Sequence, residues 1–372
     1  MSADTPKRSR RVTIRDVARE AGVSAASVSH AFRGDHNVSG KTRQRILDAA
    51  ERMGYRPHPM VSALMSEIRG RRAVDGDAVL AMIDFFTGPN RLRNTTRVQI
   101  YEGAAVQAAK LGFRLDLFEP MEEGWTLERL AHILQARSIT GLIVPPLPNP
   151  PNLPEGFPWE EFCVLTAGFT CESHAFHSVV PDHLGGMEMM LRKITARGYQ
   201  RIGLYLSTNL DERVRHAWSS LHLWHNTYGT KPAAKGLCHF YKGTLNTEHM
   251  LQWVKRKEPD ALITDFPVAY DLLQRDRALR RLGCASLIGT DAMPGVCGIN
   301  QNYTLEGMAA VDFLSTQLYR NERGIPPFRM HVQVAPTWVE GKSLPPIKKA
   351  AQKKRSAKRK RSAATTNDTS RG

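Results

Sequence analysis

Residues 12–57 read VTIRDVAREAGVSAASVSHAFRGDHNVSGKTRQRILDAAERMGYRP. Thr13 can cap a helix that starts at Ile14, and Asp16 falls in the first turn, where the helix dipole favours an acid. Ile14, Val17, Ala18 and Ala21 share one face at helical spacing. Gly22 ends that helix and Val23 plugs the turn. Ser24 can cap a second helix through about Phe32. Its inward residues are Val28, Ala31 and Phe32; Ser24, Ala25, Ala26, Ser27, Ser29 and His30 face outward. Ser39 can cap a third helix through about Met53, with Ile46, Leu47, Ala50 and Met53 inward. Two short helices around Ala-Gly-Val and a longer third make a helix-turn-helix module. Small, hydroxylated outward side chains let the second helix sit deep in a major groove. An ordinary three-helix bundle is the alternative, disfavoured by the basic charge and those small residues.

The charge supports this reading once it is divided along the chain. The 372 residues carry a net +16. Residues 1–72 hold 15 Lys/Arg against 7 Asp/Glu, and residues 347–372 hold 10 against 1. Residues 73–346 are almost neutral, with 27 bases and 28 acids. Basic segments attract polyanions, because each phosphate contact releases a counterion. The last run, KKAAQKKRSAKRKR at 348–361, has no apolar periodicity and reads as disordered. It serves either solubility or nonspecific DNA attraction. The length fits two or three domains. No apolar run reaches the ~20 residues of a membrane helix. The N-terminus shows no secretory pattern. Five scattered cysteines, Cys163, Cys171, Cys238, Cys284 and Cys297, read as reduced thiols. The expected location is the bacterial cytoplasm, on the nucleoid.

The stretch 12–57 resembles the DNA-binding module of the LacI/GalR family of bacterial transcription regulators. The matching elements are Val12-Thr13-Ile14, Asp16-Val17-Ala18, Ala21-Gly22-Val23-Ser24, Val28-Ser29, Val38-Ser39, Thr42-Arg43 and Gly54-Tyr55-Arg56-Pro57. The resemblance implies base contacts from Ala25, Ala26 and His30. It implies phosphate contacts from Thr13, Ser24, Ser27, Ser29, Asn37, Ser39, Thr42 and Tyr55. His30 stands where the family usually has Arg, so it offers one donor or acceptor in place of a two-bond grip on guanine. Leu64 takes the place of the leucine that wedges into the minor groove at the operator centre. The usual Ala-Arg-Ser before that leucine is Val61-Ser62-Ala63 here. Burial of Leu64 against the core domain is the competing role.

Beyond the linker the pattern alternates. Strand-like runs lie at 78–85, 113–118, 140–144, 162–167, 201–206, 260–264 and 285–290. Amphipathic helices lie near 97–111, 126–137, 184–198, 212–226, 247–257, 267–282 and 304–321. Such alternation means parallel sheets with helices on both faces, here in two lobes. Residues 145–158, with seven prolines, form a stiff connection. No internal repeat stands out. The body resembles the family's effector domain, a type I periplasmic-binding-protein fold. Ser178-Val179-Val180-Pro181-Asp182, Gly198 to Gly203, Pro259-Asp260-Ala261, Ile288-Gly289-Thr290-Asp291, and a late helix with Trp338-Val339-Glu340-Gly341 carry that likeness. In open α/β lobes ligands bind at the carboxyl ends of strands. The resemblance places Arg213, Asp265 and Asp291 at effector-contacting positions. Trp218 can pack a ring face on a sugar or belong to the core. Phe85 and Arg91 are first-lobe candidates.

The expected organisation is a helix-turn-helix head at 11–57, a hinge at 58–72, a two-lobed α/β effector and dimerisation domain at 73–346, and a basic tail at 347–372. The expected function is a homodimeric repressor that binds a double-stranded DNA operator under control of a sugar-like effector. A ligand sensor without DNA preference and a nonspecific architectural protein are the rivals. Gly40-Lys41-Thr42 is no phosphate loop, since position 35 is Asp35 where a glycine is needed and no strand precedes it. Cys171, His174, His177 and His183 have ligand-like spacing but lie in a loop, so no metal is expected. No cofactor motif is present. No nucleophile sits beside a base and an orienting group, which disfavours an enzyme.

Overall fold

The computed structural model describes residues 14–32, 38–53, 78–85, 95–120, 125–147, 153–171, 173–229, 236–289 and 293–347. The expected hinge, the tail beyond Ile347, and Thr13, Asn37, Tyr55, Leu64, Arg91 and Asp291 lie outside them.

The head is three helices, α1 (Ile14–Glu20), α2 (Ala25–Phe32) and α3 (Gly40–Arg52). Their core is Val17, Ala18, Ala21, Val28, Ala31, Ile46, Ala49 and Ala50, with Ile14, Val23, Ala25, Val38 and Met53 packed against it. Ala49 takes the inward place expected of Leu47, which is only half-buried. A methyl lets α3 approach closely where a longer side chain would hold it off.

The body runs β1 (Ala78–Ile83), α4 (Thr95–Lys110), β2 (Phe113–Phe118), α5 (Leu127–Ala136), β3 (Gly141–Val144), β4 (Cys163–Ala167) and β5 (His177–Pro181). It continues α6 (His183–Ala196), β6 (Ile202–Ser207), α7 (Thr208–Arg213), α8 (Ala217–Tyr228), β7 (Cys238–Tyr241), α9 (Thr247–Lys257), β8 (Ala261–Thr264), α10 (Ala269–Arg275), β9 (Gly283–Ser286) and β10 (Cys297–Asn300). It ends with α11 (Tyr303–Arg320), β11 (His331–Val334) and β12 (Thr337–Val339). Two six-stranded sheets result, ordered β11-β5-β4-β3-β1-β2 and β12-β10-β9-β8-β6-β7. The two orders are equivalent, so the lobes repeat one topology without a repeat in sequence. All pairings are parallel except β10 with β12. Inner strands such as β3 and β8 are buried along their whole length, as parallel strands covered on both faces must be.

Several expected elements differ. The helix expected over 212–226 is two, because Arg215 and His216 both adopt left-handed φ, 55° and 58°. The helix expected to reach 282 stops at Arg275, and the strand expected at 285–290 is Gly283–Ser286. Trp338 and Val339 lie in strand β12, not in a late helix. Strands β5, β7, β10, β11 and β12 have no counterpart among the expected apolar runs.

The chain crosses between lobes three times, after β5, before α11 and between β11 and β12. The crossings are tied to one another. Asp182 N donates to the Val334 carbonyl at 2.9 Å. Asn302 Nδ2 donates to the Ala335 carbonyl at 2.8 Å, and Thr337 Oγ1 donates to Asn302 Oδ1 at 3.3 Å. Helix α11 belongs to the first lobe, where it packs on α4 at backbone contact. A Cβ on Gly307 would lie 2.0 Å from the Ile100 carbonyl oxygen, and one on Gly103 1.9 Å from that of Thr304.

Candidate functional sites in the head and the interlobe cleft

In the head, Ser24 Oγ accepts from Ser27 N at 3.0 Å and pairs with Ser27 Oγ at 2.9 Å. Ser39 Oγ accepts from Thr42 N at 3.3 Å and pairs with Thr42 Oγ1 at 2.9 Å. The four hydroxyls expected at phosphates therefore mark the N-termini of α2 and α3. There, free backbone N–H groups and the helix dipole favour an anion. Arg43 Nε donates to the Ala31 carbonyl at 3.2 Å and so locks the end of α2 onto α3. His30 is half-buried in the last turn of α2, and Ala25 is half-buried against the head core. Ala26 and Ser29 lie on α2, and their side chains are outside the described residues.

Between the lobes lies a cavity of about 500 Å³ at the carboxyl ends of the strands. The first lobe contributes Thr96, Arg97, Leu147, Phe169 and Thr170 among others, and the second His183, Asn209, Arg213, Trp218 and Ile288. Helix α11 contributes Tyr303 and Glu306.

Each charged group here has a distinct environment. Arg97 Nε donates to Asp84 Oδ2 at 2.9 Å, its Nη2 to Asp84 Oδ1, and its Nη1 to the Pro146 carbonyl. Both residues are buried, so the pair is bidentate and shielded from water. Arg213 ends α7 and reaches across the cleft, its Nη1 donating to the Leu147 carbonyl at 3.0 Å. Burial, then the like charge of Arg97, lowers its pKa. Its guanidinium nonetheless stays charged. Asp211 holds the strained turn behind it. Its carboxylate accepts from Ser219 Oγ at 2.6 Å and Ser219 N at 3.3 Å, and it pairs with His216 Nδ1 at 2.9 Å. The same turn lays Arg215 over the Phe169 ring at 4.9 Å, a second contact between lobes.

Three buried side chains lining the cavity have polar atoms without a hydrogen-bond partner among the described residues: Glu306 Oε1 and Oε2, His183 Nδ1 and Trp218 Nε1. Buried polar groups are normally satisfied, so these orphaned atoms set the wall of the cavity apart from the rest of the core. Burial pushes the His183 imidazole down to about 4, which leaves it neutral; its ring stands edge-on to Trp218 at 5.4 Å. Glu306 is fully buried, and desolvation pushes its carboxyl up to about 8. The Gly168 amide, already donating to the Val179 carbonyl at 2.8 Å, offsets this only in part.

Of the expected effector contacts, Arg213 and Trp218 line the cavity. Asp265 does not: its carboxylate accepts from Ser207 N at 3.0 Å and from the Tyr241 hydroxyl at 3.2 Å, tying the ends of three strands together. Phe85 is a core residue, edge-on to Trp159 at 6.2 Å. Arg97, His183 and Glu306 were not singled out as effector contacts. Glu306 had a legible signal, since it shares the stripe of Ala310 and Leu314 and is the carboxylate on it. Among the described residues, no group of three His, Cys, Asp or Glu is placed to hold a metal. Cys171 Sγ instead donates to the His174 carbonyl at 3.6 Å.

Residues 13–58 match the family of bacterial regulatory proteins, lacI family. Catabolite control protein A of Priestia megaterium is 50% identical over 56 residues, 15% of this chain and 17% of that protein. The HTH-type transcriptional regulator PtxS of Pseudomonas putida is 30% identical over 214 residues, 56% of this chain and 58% of that protein. The chain thus spans less than two thirds of these curated relatives in the matched regions. The lac repressor dimer bound to operator and the anti-inducer ONPF covers 90% of this chain and 100% of its own, at TM-score 0.52 and 18% identity. That likeness is one of fold. Residues 13–58 thus form a lacI-type head, carried on a body of the lac-repressor fold.

Proposed function

We propose that this protein is a transcription repressor that binds an operator in double-stranded DNA and is controlled by a small, sugar-like effector held between the lobes. One observation carries the effector part of the reading: the interlobe cavity is lined by buried polar atoms that have no hydrogen-bond partner among the described residues. The head supports the DNA part. Ala25, Ala26 and His30 would meet base edges. Thr13, Ser24, Ser27, Ser29, Asn37, Ser39, Thr42 and Tyr55 would hold phosphates, and Leu64 would wedge the minor groove. Arg213 and Trp218, with Asp291, would contact the effector.

The protein would act as a homodimer. Edge strands β2 and β7 occupy equivalent ends of the two sheets. Exposed apolar side chains gather on them and on the adjoining helices: Val106, Leu111 and Leu117 on one lobe, Leu223, Trp224, Tyr228 and Phe240 on the other. A two-fold dimer meets a pseudo-palindromic operator. No helix among the described residues is long and apolar enough to cross a membrane. The site of action would be the cytoplasmic nucleoid. The named relatives are regulators, and this reading assigns the chain no reaction.

The test is selection of a random duplex library by full-length protein at near-physiological salt. A pseudo-palindromic motif with fixed half-site spacing is the expected result. Binding without an enriched motif would favour an architectural role for the two basic ends, and no binding would favour a ligand sensor.

A further inference from the structure

This inference rests on the reading of the interlobe cavity as an effector site. Glu306 is its costliest residue. Helices α4 and α11 touch backbone to backbone through Gly103 and Gly307, so the backbone bearing Glu306 has no room to shift. The same cavity is lined by Arg97 on α4, paired to Asp84 after β1; Arg213 on α7, bonded to the Leu147 carbonyl; His183 on α6, held neutral; and Tyr303 on α11. Glu306 forms no ion pair with any of them; the Gly168 amide near it is committed to the Val179 carbonyl, and neither carboxyl oxygen has another hydrogen-bond partner among the described residues. An isolated carboxyl in such a place costs more than an apolar side chain of the same size.

We infer that Glu306 is the specificity-determining contact of this cleft and that the effector presents to it a hydrogen-bond donor, a hydroxyl or an ammonium group. The opposite edge of the effector accepts hydrogen bonds, from the spare N–H groups of Arg213 and from Trp218 Nε1. A compact polyhydroxyl compound, with or without an amino group, fits both edges. An ammonium donor binds the carboxylate, so the carboxyl O–H breaks and its proton leaves to the buffer. A hydroxyl donor needs no such release.

The experiment uses full-length wild type, Glu306→Gln and Glu306→Leu. Thermal shift and calorimetry are run with a panel of aldoses, alditols and hexosamines; fully O-methylated glucose is the control without donors. At least one panel member raises the wild-type melting temperature, and the O-methylated control does not. Glu306→Leu weakens that compound about 10- to 100-fold, the loss expected for a hydrogen bond to a charged group. Glu306→Gln loses more for a hexosamine than for the matching aldose if the donor is ammonium, and loses equally for both if it is hydroxyl. The inference is overturned if no panel member stabilises wild type, or if Glu306→Leu binds as tightly as wild type. Operator selection on wild type separates the two readings. An operator motif with no response to the panel leaves the regulator reading standing and removes this one.

Discussion

Single side chains in this protein are set by what burial leaves them to bond with. Asp84 and Arg97 satisfy one another, and Asp211 is saturated by Ser219 and His216. Glu306 has no such side-chain partner among the described residues, and burial lifts its carboxyl from the ordinary 4.5 to about 8. The fold tolerates the neutral form. The stability this group contributes is therefore full below pH 4.5 and is lost as pH rises through about 8. Gln keeps the size and stays neutral throughout. The melting temperature of Glu306→Gln should pull ahead of wild type as pH goes from about 5 to about 8. A gap that stays constant over that range, by differential scanning fluorimetry, would show that Glu306 is not buried as a lone acid. His183 works in the opposite direction. Its pKa of about 4 keeps it uncharged, and it adds its stability above pH 6.5.

At the scale of elements, the head depends on its caps and the body on close helix contact. Ser39 accepts from Thr42 N and opens α3. Ser39→Ala should cost the head about 1 kcal/mol, read from thermal melts of its helical signal, with the melting of the body unchanged. A loss in the body instead would mean that the head and lobes do not melt separately. The crossing of α4 with α11 is far less forgiving. A methyl at Gly307 meets the Ile100 carbonyl at 2.0 Å, which no rotamer change relieves. Gly307→Ala should destabilise the body by roughly 3 kcal/mol in denaturant melts. A cost under about 1 kcal/mol would mean the helices can slide apart. The same crossing places Glu306 in the cleft, so this packing and the candidate specificity are one feature. Much of the element order was legible, because helices such as Leu127–Ala136 and Thr247–Lys257 carry both caps and apolar stripes. The turn at Arg215 and His216 was not. The apolar spacing of Asp-Glu-Arg-Val-Arg-His does not announce two left-handed residues; its own Asp211, buried and bonded to His216 and Ser219, holds them there.

The whole molecule joins a basic head and basic tail to a near-neutral body. Ile347 packs on the second-lobe core, and its N–H donates to the Arg197 carbonyl at 2.8 Å, so a clean truncation starts at Lys348. Removing 348–372 should keep the operator motif and reduce only the salt dependence of binding. Loss of the motif in the truncated protein would move sequence recognition into the tail. The dimer is testable in the same way. Leu223 and Tyr228 are 64% and 74% exposed on α8 beside Trp224. Leu223→Asp with Tyr228→Asp should give a monomer in analytical ultracentrifugation, with operator affinity falling at least about tenfold. A double variant that stays dimeric would place the contact elsewhere.

What the sequence by itself determined is the part governed by neighbours a few residues apart: the caps of α2 and α3, the head's apolar stripes, the strand-helix alternation and the split of charge. These interactions close within one or two turns, so spacing reports them. The edge strands β7, β11 and β12 escaped because one side of each faces water, and His331–Val334 is mostly exposed and lacks an apolar run. Arg97, His183 and Glu306 escaped for a different reason, while Arg213 and Trp218 were expected in the cleft. Arg97, His183, Arg213 and Glu306 are scattered over some two hundred positions, and three lobe crossings bring them together. Asp265 shows the converse: its position at a strand end suggested a ligand contact, but Ser207 and Tyr241 reached it first. Which carboxylates are consumed and which are left open depends on neighbours distant in sequence, and that only the tertiary structure decided.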